Sequence, residues 1–361
     1  MNTPKPKNSI LKISPYKAGL TKTGNNKKVI KLSSNENPFG ASPKAIQAYL
    51  NSANTLHRYP EANLLNQVIA DTYNLKSSGI VCGAGSDEII SLICQAYTNE
   101  GDDVLYSQYG FLMYPISAMA AGANPISVPE TNLKTDINAI IKAVTPKTKI
   151  IFIANPNNPT GSYLTKDEIN YLQKNIPAHV LLVLDGAYAE YANVPDYSDG
   201  IELVNSSNNT IVTRTFSKIY GLASLRIGWC YASDEISDIL NRVRGPFNVS
   251  GPAINAATAA LEDSEFIIKA KKHNEEWKKW LSEKIASLGI KVYPTIANFI
   301  LTKFENEEIA KKAHEFLMNE GIIARPVANY GLKEYIRFTI GLREDNEMVY
   351  EILQKFMLSL K

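Results

Sequence analysis

Residues 61–74 (EANLLNQVIADTYN) and 86–98 (SDEIISLICQAYT) repeat their apolar positions at the three- and four-residue spacing of amphipathic helices. The second opens on Ser86, Asp87 and Glu88, a capping type of residue followed by acids that suit a positive helix start. Between and after them lie short β-rich runs: 79-GIVCG-83, 103-DVLY-106, 148-TKIIFIA-154, 180-VLLVLD-185, 210-TIVTRTF-216 and 226-RIGWCYA-232. Several are apolar along their whole length and alternate with helical segments, the pattern of a mostly parallel sheet covered on both faces. After 245-GPFNVSGP-252 the rhythm changes. Residues 253–287 read as one long helix, and strands at 298–304 and 335–341 then alternate with helices at 306–319 and 345–359. The spacing predicts a large α/β domain over 35–250 and a smaller α+β domain over 251–361. Residues 1–34, rich in proline, lysine and turn residues, form an arm expected to pack on the small domain.

Composition narrows the function classes. The 361 residues are 45% hydrophobic and 20% charged, and 38 Lys+Arg against 36 Asp+Glu leave a net charge of +2. That balance predicts a globular chain with no broad cationic face for nucleic acid. No apolar run approaches the ~20 residues of a membrane span, and MNTPKPKNSILKISPY lacks the apolar core of a secretory signal. Cys82, Cys94 and Cys230 are odd in number and lack C-x-x-C spacing, which suits a reducing cytoplasm and argues against a zinc site.

Candidate chemistry gathers at strand ends. In 215-TFSKIYGLASLRIGW-229, Lys218 follows a buried strand, where an ammonium loses hydration and the neutral amine becomes a nucleophile. Thr215, Ser217 and Arg226 could hold a phosphate beside it. A surface lysine with an arginine bridging to a carboxylate accounts for the same residues equally well. In 155-NPNNPTG-161 the prolines mark a rigid turn, and Asn158 sits where parallel sheets bind ligands. Asp185 ends a fully apolar strand with Tyr188 three residues on; it calls for a cationic partner, or it caps the next element. The 83-GAGSDE-88 turn is a weak anion-nest signal, and Tyr109 is either a ring-stacking or a core residue. One ligand satisfies them all: pyridoxal 5′-phosphate (PLP), with its phosphate, its basic pyridine nitrogen and its aldehyde.

At this point the chain resembles the fold type I, aspartate-aminotransferase-like PLP enzymes, and within them the histidinol-phosphate aminotransferases. The resemblance rests on 31-KLSSNENPFGASPKA-45, 58-RYPE-61, 83-GAGSDE-88, 158-NPTG-161, 185-DGAY-188, 215-TFSKIYGLASLRIG-228 and 335-YIRFTIG-341. It implies that Lys218 carries PLP covalently and moves the substrate proton. Asp185 pairs with the pyridine nitrogen, Asn158 and Tyr188 bond the ring oxygen, and Tyr109 stacks on the ring. Gly85, Ser86, Thr215, Ser217 and Arg226 receive the phosphate, and Asp87 counts among the cofactor-binding residues. A homodimer with shared sites is implied, Tyr59 reaching the other subunit's phosphate. Arg337 matches the arginine that grips glutamate, and Tyr16, Asn37 and Arg325 fall where the family contacts substrate. Three positions depart from the pattern: Gly186 stands where glutamate is frequent, Ile219 where a small residue is usual, and Ser224 for a common glycine.

The resemblance therefore implies transamination of L-histidinol phosphate with 2-oxoglutarate, in histidine biosynthesis. Its small-molecule partners are an amino donor and a 2-oxo acid. An aromatic amino acid aminotransferase is the alternative on this scaffold, because 325-RPVANYGLKEYIR-337 resembles members that accept aromatic amino acids. A threonine-phosphate decarboxylase-like enzyme comes next. A PLP-sensing regulator would need a DNA-binding segment that is not evident before Lys31.

Overall fold

The computed structural model describes residues 4–15, 29–61 and 63–360. Its centre is a seven-stranded sheet, in spatial order Ile80–Gly83, Gly228–Tyr231, Thr210–Thr215, Leu181–Asp185, Thr148–Ala154, Asp103–Ser107 and Asn124–Val128. Neighbouring strands run parallel except Gly228–Tyr231, which is antiparallel to both neighbours. Leu181–Asp185 and Thr210–Thr215 are buried at every residue, as strands covered on both faces must be. Apolar side chains alternate between two cores: Leu182, Leu184 and Val212 face one, and Leu181, Val183 and Ile211 the other.

Local chemistry sets the helix starts. Ser42 accepts from Ala45 N ahead of Pro43–Asn51, with proline in the first turn, and Thr165 and Glu168 form a reciprocal capping box for Lys166–Asn175. Each such cap contributes about 1 kcal/mol.

A second, antiparallel sheet orders Lys291–Tyr293, Phe299–Lys303, Leu332–Thr339 and Arg325–Val327. Its core includes residues of helices Ser264–Ser287, Glu307–Asn319 and Arg343–Ser359. The stretch expected as one helix over 253–287 is two, Gly251–Leu261 and Ser264–Ser287, parted at Glu262 and Asp263. The first of these buries Ala253, Ala256, Ala257 and Ala260 in the core of the large sheet, and Ala270 joins them. Along the second helix, Trp277 and Trp280 pack against the second sheet's core and Leu281 is the first residue fully within it. The change of core thus falls inside the long helix rather than at 250. In the arm, Ile30–Lys31 pairs with Ile322–Ile323 beside the smaller sheet, whereas Ile10–Lys12 lies against Met113–Ala121 of the larger unit.

Candidate active site

Every parallel strand of the large sheet ends on one edge, and the chemistry lies there. Because Gly228–Tyr231 runs backwards, its first residue pairs with both Gly83 and Thr215, so Arg226 emerges at that same edge. A cavity of about 340 Å³ opens above it, lined by Ser86, Asp87, Asn158, Asp185, Tyr188, Thr215, Ser217, Lys218, Arg226, Arg325 and Arg337 from the expected set. A larger hollow of about 550 Å³, near Asn66, Cys82 and Arg244, holds none of them.

Asp185 is 4% exposed. Tyr114 donates its hydroxyl to one carboxylate oxygen at 2.8 Å, and Thr213 donates to the other at 2.9 Å. Burial raises its pKa above the ordinary carboxylate value, and the two hydroxyl donors, with the Ala187 N–H, offset only part of that. Among the described residues no cation forms an ion pair with it. A buried acid with neutral partners alone is a place for a cationic group from outside.

Lys218 is half-buried, its Nζ 3.1 Å from the Ser34 carbonyl and 5.7 Å from the centre of the Tyr188 ring. The Tyr188 hydroxyl accepts from Asn35 Nδ2 at 2.8 Å. On the other side, Arg226 donates to Ser217 Oγ at 3.2 Å and pairs with Asp87 at 3.0 Å. It holds a left-handed backbone, φ 48°, an unusual conformation for a residue with a side chain. Gly85 precedes helix Ser86–Tyr97 at φ 85°, and a Cβ there would stand 2.4 Å from the Arg226 guanidinium. Glycine thus lets the arginine lie over the helix start, where free N–H groups and a guanidinium converge on one anion site.

The smaller sheet supplies the opposite wall. Arg325 and Arg337 are directly opposed across adjacent strands, so both project to one face. Arg337 is buried, donating to Asn158 Oδ1 and, at 2.6 Å, to the Ser33 carbonyl, while its guanidinium lies 5.2 Å from the Phe299 ring centre.

Three expected site residues, Tyr109, Asn37 and Tyr59, fall outside the cavity lining. Tyr109 does not line the cavity: its ring packs with Tyr293, Tyr330 and Tyr335 in a satellite cluster, and Phe111 stands in the lining instead. Three residues, Gln108, Tyr109 and Gly110, separate the strand end from the ring that faces inward. Asn37 is also absent from the lining. It donates to the Ile219 carbonyl at 2.6 Å and accepts from Phe39 N at 3.0 Å, tying its own loop to the lysine loop. Tyr59 is 79% exposed and stacked on Phe247 at 4.4 Å, outside this cavity. Tyr16 lies outside the described residues.

Sequence reasoning missed Phe111, Asn35 and the Asp185 donors Tyr114 and Thr213. Only Thr213 carried a signal, as a polar residue inside a fully buried strand. Of the three departures, Ile219 is fully buried, Ser224 is exposed, and Gly186 leaves room for Arg214 Nη1, which a Cβ would approach to 3.0 Å.

Residues 27–354 match the family described as aminotransferase class I and II. The chain belongs to that family. This aminotransferase is 47% identical over 362 residues to the histidinol-phosphate aminotransferase of Rhodopseudomonas palustris (strain BisB18), covering 99% of each chain. It is 45% identical to that of Paramagnetospirillum magneticum, again over 99% of each. The crystal structure of histidinol-phosphate aminotransferase from Sinorhizobium meliloti, in complex with pyridoxal-5′-phosphate, superposes with a TM-score of 0.87. It shares 26% identity over 93% of both chains. A Thermus thermophilus aspartate aminotransferase mutant superposes at 0.83 with 19% identity, covering 98% of this chain and all of that one, and shares the fold.

Proposed function

We propose that this aminotransferase uses PLP to transfer the amino group between L-histidinol phosphate and 2-oxoglutarate, giving imidazole acetol phosphate and L-glutamate. The observation that carries the proposal is the buried Asp185, without a cation among the described residues, in one cavity with the Lys218 amine. The full-length likeness to histidinol-phosphate aminotransferases supports the choice of substrate.

The residues suit the group. Asp185 can keep a proton on a pyridine nitrogen, and Arg226, Ser217 and the helix start at Ser86 can receive a phosphate. Phe111 can cover a flat ring. When bound, PLP supplies an aldehyde that takes up amino groups and a ring that accepts the electron pair left on the substrate Cα. The chain supplies the rest. Lys218 Nζ takes and returns the Cα proton. Arg337 grips the glutamate carboxylate in a two-pronged contact, and Arg325 beside it offers a second guanidinium for a second anionic group. Exposed Tyr59 is available to a second subunit, and we place the enzyme as a cytoplasmic homodimer with shared sites. Buried, unpaired Cys82, Cys94 and Cys230 support the reducing compartment.

One preparation, with 2-oxoglutarate as acceptor, tests the substrate. L-Histidinol phosphate is expected to exceed phenylalanine and tyrosine in kcat/KM by at least about tenfold, the least a charge-assisted phosphate contact supplies. Equal or better use of the aromatic amino acids would overturn it.

A further inference from the structure

The turn at Ser33–Glu36 meets both walls of the cavity, and the hydrogens on it can be counted. Asn35 is 1% exposed and holds a left-handed backbone at φ 56°, a conformation asparagine tolerates better than most residues. Its backbone N–H donates to Thr339 Oγ1 at 2.9 Å, and its carbonyl accepts from Asn298 Nδ2 at 3.0 Å. Thr339 Oγ1 in turn lies 3.1 Å from Asn35 Oδ1. Since the threonine oxygen already accepts from the backbone, its own hydrogen goes to Oδ1. That fixes the amide. Turned over, it would present Nδ2 to Thr339 and strip that hydroxyl hydrogen of its acceptor in a site 3% exposed.

With the amide fixed, Nδ2 faces the Tyr188 oxygen at 2.8 Å and must be the donor. Tyr188 has one hydrogen of its own, and among the described residues no group accepts it. The ring is held edge-on to Phe299, centres 5.3 Å apart, with the Lys218 amine 5.7 Å from its centre. We infer that Asn35 is a positioning residue: its amide occupies the outer side of the Tyr188 oxygen and aims the hydroxyl hydrogen into the cavity, at an anionic oxygen on the ring of the bound cofactor. This deepens the proposed function and rests on it. It also gives the small sheet, through Thr339 and Asn298, a direct hold on the protonation of the cofactor. The charged groups around the cavity — Lys218, Asp185, Asp87, Glu36, Arg226, Arg325 and Arg337 — are common to every variant below.

The test is the pH midpoint of the visible absorbance change of the PLP-loaded, substrate-free protein. Tyr188→Phe removes the donor to the ring oxygen and is expected to raise the midpoint by about one to two units, the worth of a hydrogen bond to a charged acceptor. Asn35→Asp keeps the shape and the bond from Thr339 but accepts from Tyr188, turning the hydrogen out of the cavity. It too is expected to raise the midpoint by at least about one unit. In the Tyr188→Phe background the same change should add less than half of that shift, the residue being the effect of the new charge. Thr339→Val frees the amide to turn without altering charge, so it should give a smaller upward shift that vanishes in the Tyr188→Phe background. Equal shifts with and without the tyrosine hydroxyl, or none from either Asn35→Asp or Thr339→Val, would overturn the inference while leaving the cofactor assignment standing. Absence of any PLP-dependent absorbance in the unaltered protein would overturn both. If Asn35→Asp fails to fold, the Thr339→Val pair decides.

Discussion

Two buried ionic clusters stand back to back at the ends of strands Leu181–Asp185 and Thr210–Thr215. On one face, Asp185 has among the described residues neutral donors and no cation: the hydroxyls of Tyr114 and Thr213 and the Ala187 N–H. On the other, Arg214 is 2% exposed and lies 2.8 Å from Asp199 and 3.8 Å from Glu190. Tyr73 donates to that same Glu190 at 3.3 Å and contacts the Tyr220 hydroxyl at 2.8 Å. Burial opposes the Arg214 charge, yet Glu190 and Asp199 outweigh it and hold the arginine charged. One cluster gives its buried acid a counter-charge and the other leaves its acid without one. The lesson is that burial of an acid does not mark a site; burial without a counter-charge does.

Asp185→Asn should break the comparison most visibly. It removes the charge proposed to keep a ring nitrogen protonated, and transamination is expected to fall on the order of 10³-fold in steady-state assays. Its effect on stability has the opposite sign. The raised pKa means that the folded chain holds this proton more tightly than the unfolded one. PLP-free stability therefore declines as pH rises from the unfolded carboxylate value of about 4 through the higher folded value, and the penalty persists at neutrality. The variant should melt higher than the parent at pH 7 without PLP, with the gap narrowing toward pH 4.

Arg214→Met is the converse. It leaves Glu190 buried without its cation and should cost about 3–5 kcal/mol in denaturant melts, with activity per folded molecule retained. Adding Glu190→Gln should recover part of the loss. A large fall in kcat at unchanged stability would show that this cluster serves the chemistry directly.

On the substrate side, Arg337→Ala should raise the KM for glutamate by about 10- to 100-fold and leave PLP affinity within about threefold. Parallel losses of both would make the arginine structural. The smallest contrast separates two rings: Phe111→Leu should weaken PLP binding several-fold, about 1 kcal/mol, whereas Tyr109→Phe should change it little in equilibrium titrations.

How far these features were legible depends on which residues carry them. Thr148–Ala154 and Leu181–Asp185 announce themselves because strands buried on both faces must be apolar throughout. Asn124–Val128 does not: it is a short edge strand, mostly exposed, with Pro125 inside it. The break between Gly251–Leu261 and Ser264–Ser287 carries no glycine or proline at Glu262 and Asp263, so the helical rhythm runs across it. Nor does composition reveal that Gly228–Tyr231 runs antiparallel, although that direction delivers Arg226 to the site. Lys218, Asp185 and Arg226 were visible because charge beside buried strands demands a reason. Phe111 was hidden because a turn has no period to say which ring faces in. Asn35 was hidden because its partners lie at Tyr188, Asn298 and Thr339, remote in the chain.

The central claim is that the Lys218 amine is the group that carries the cofactor. The protein loaded with PLP, reduced with borohydride and digested, should yield one peptide bearing the reduced pyridoxyl mass, with the label on Lys218, and Lys218→Ala should yield none. A label on another lysine, or covalent retention of PLP by Lys218→Ala, would contradict it.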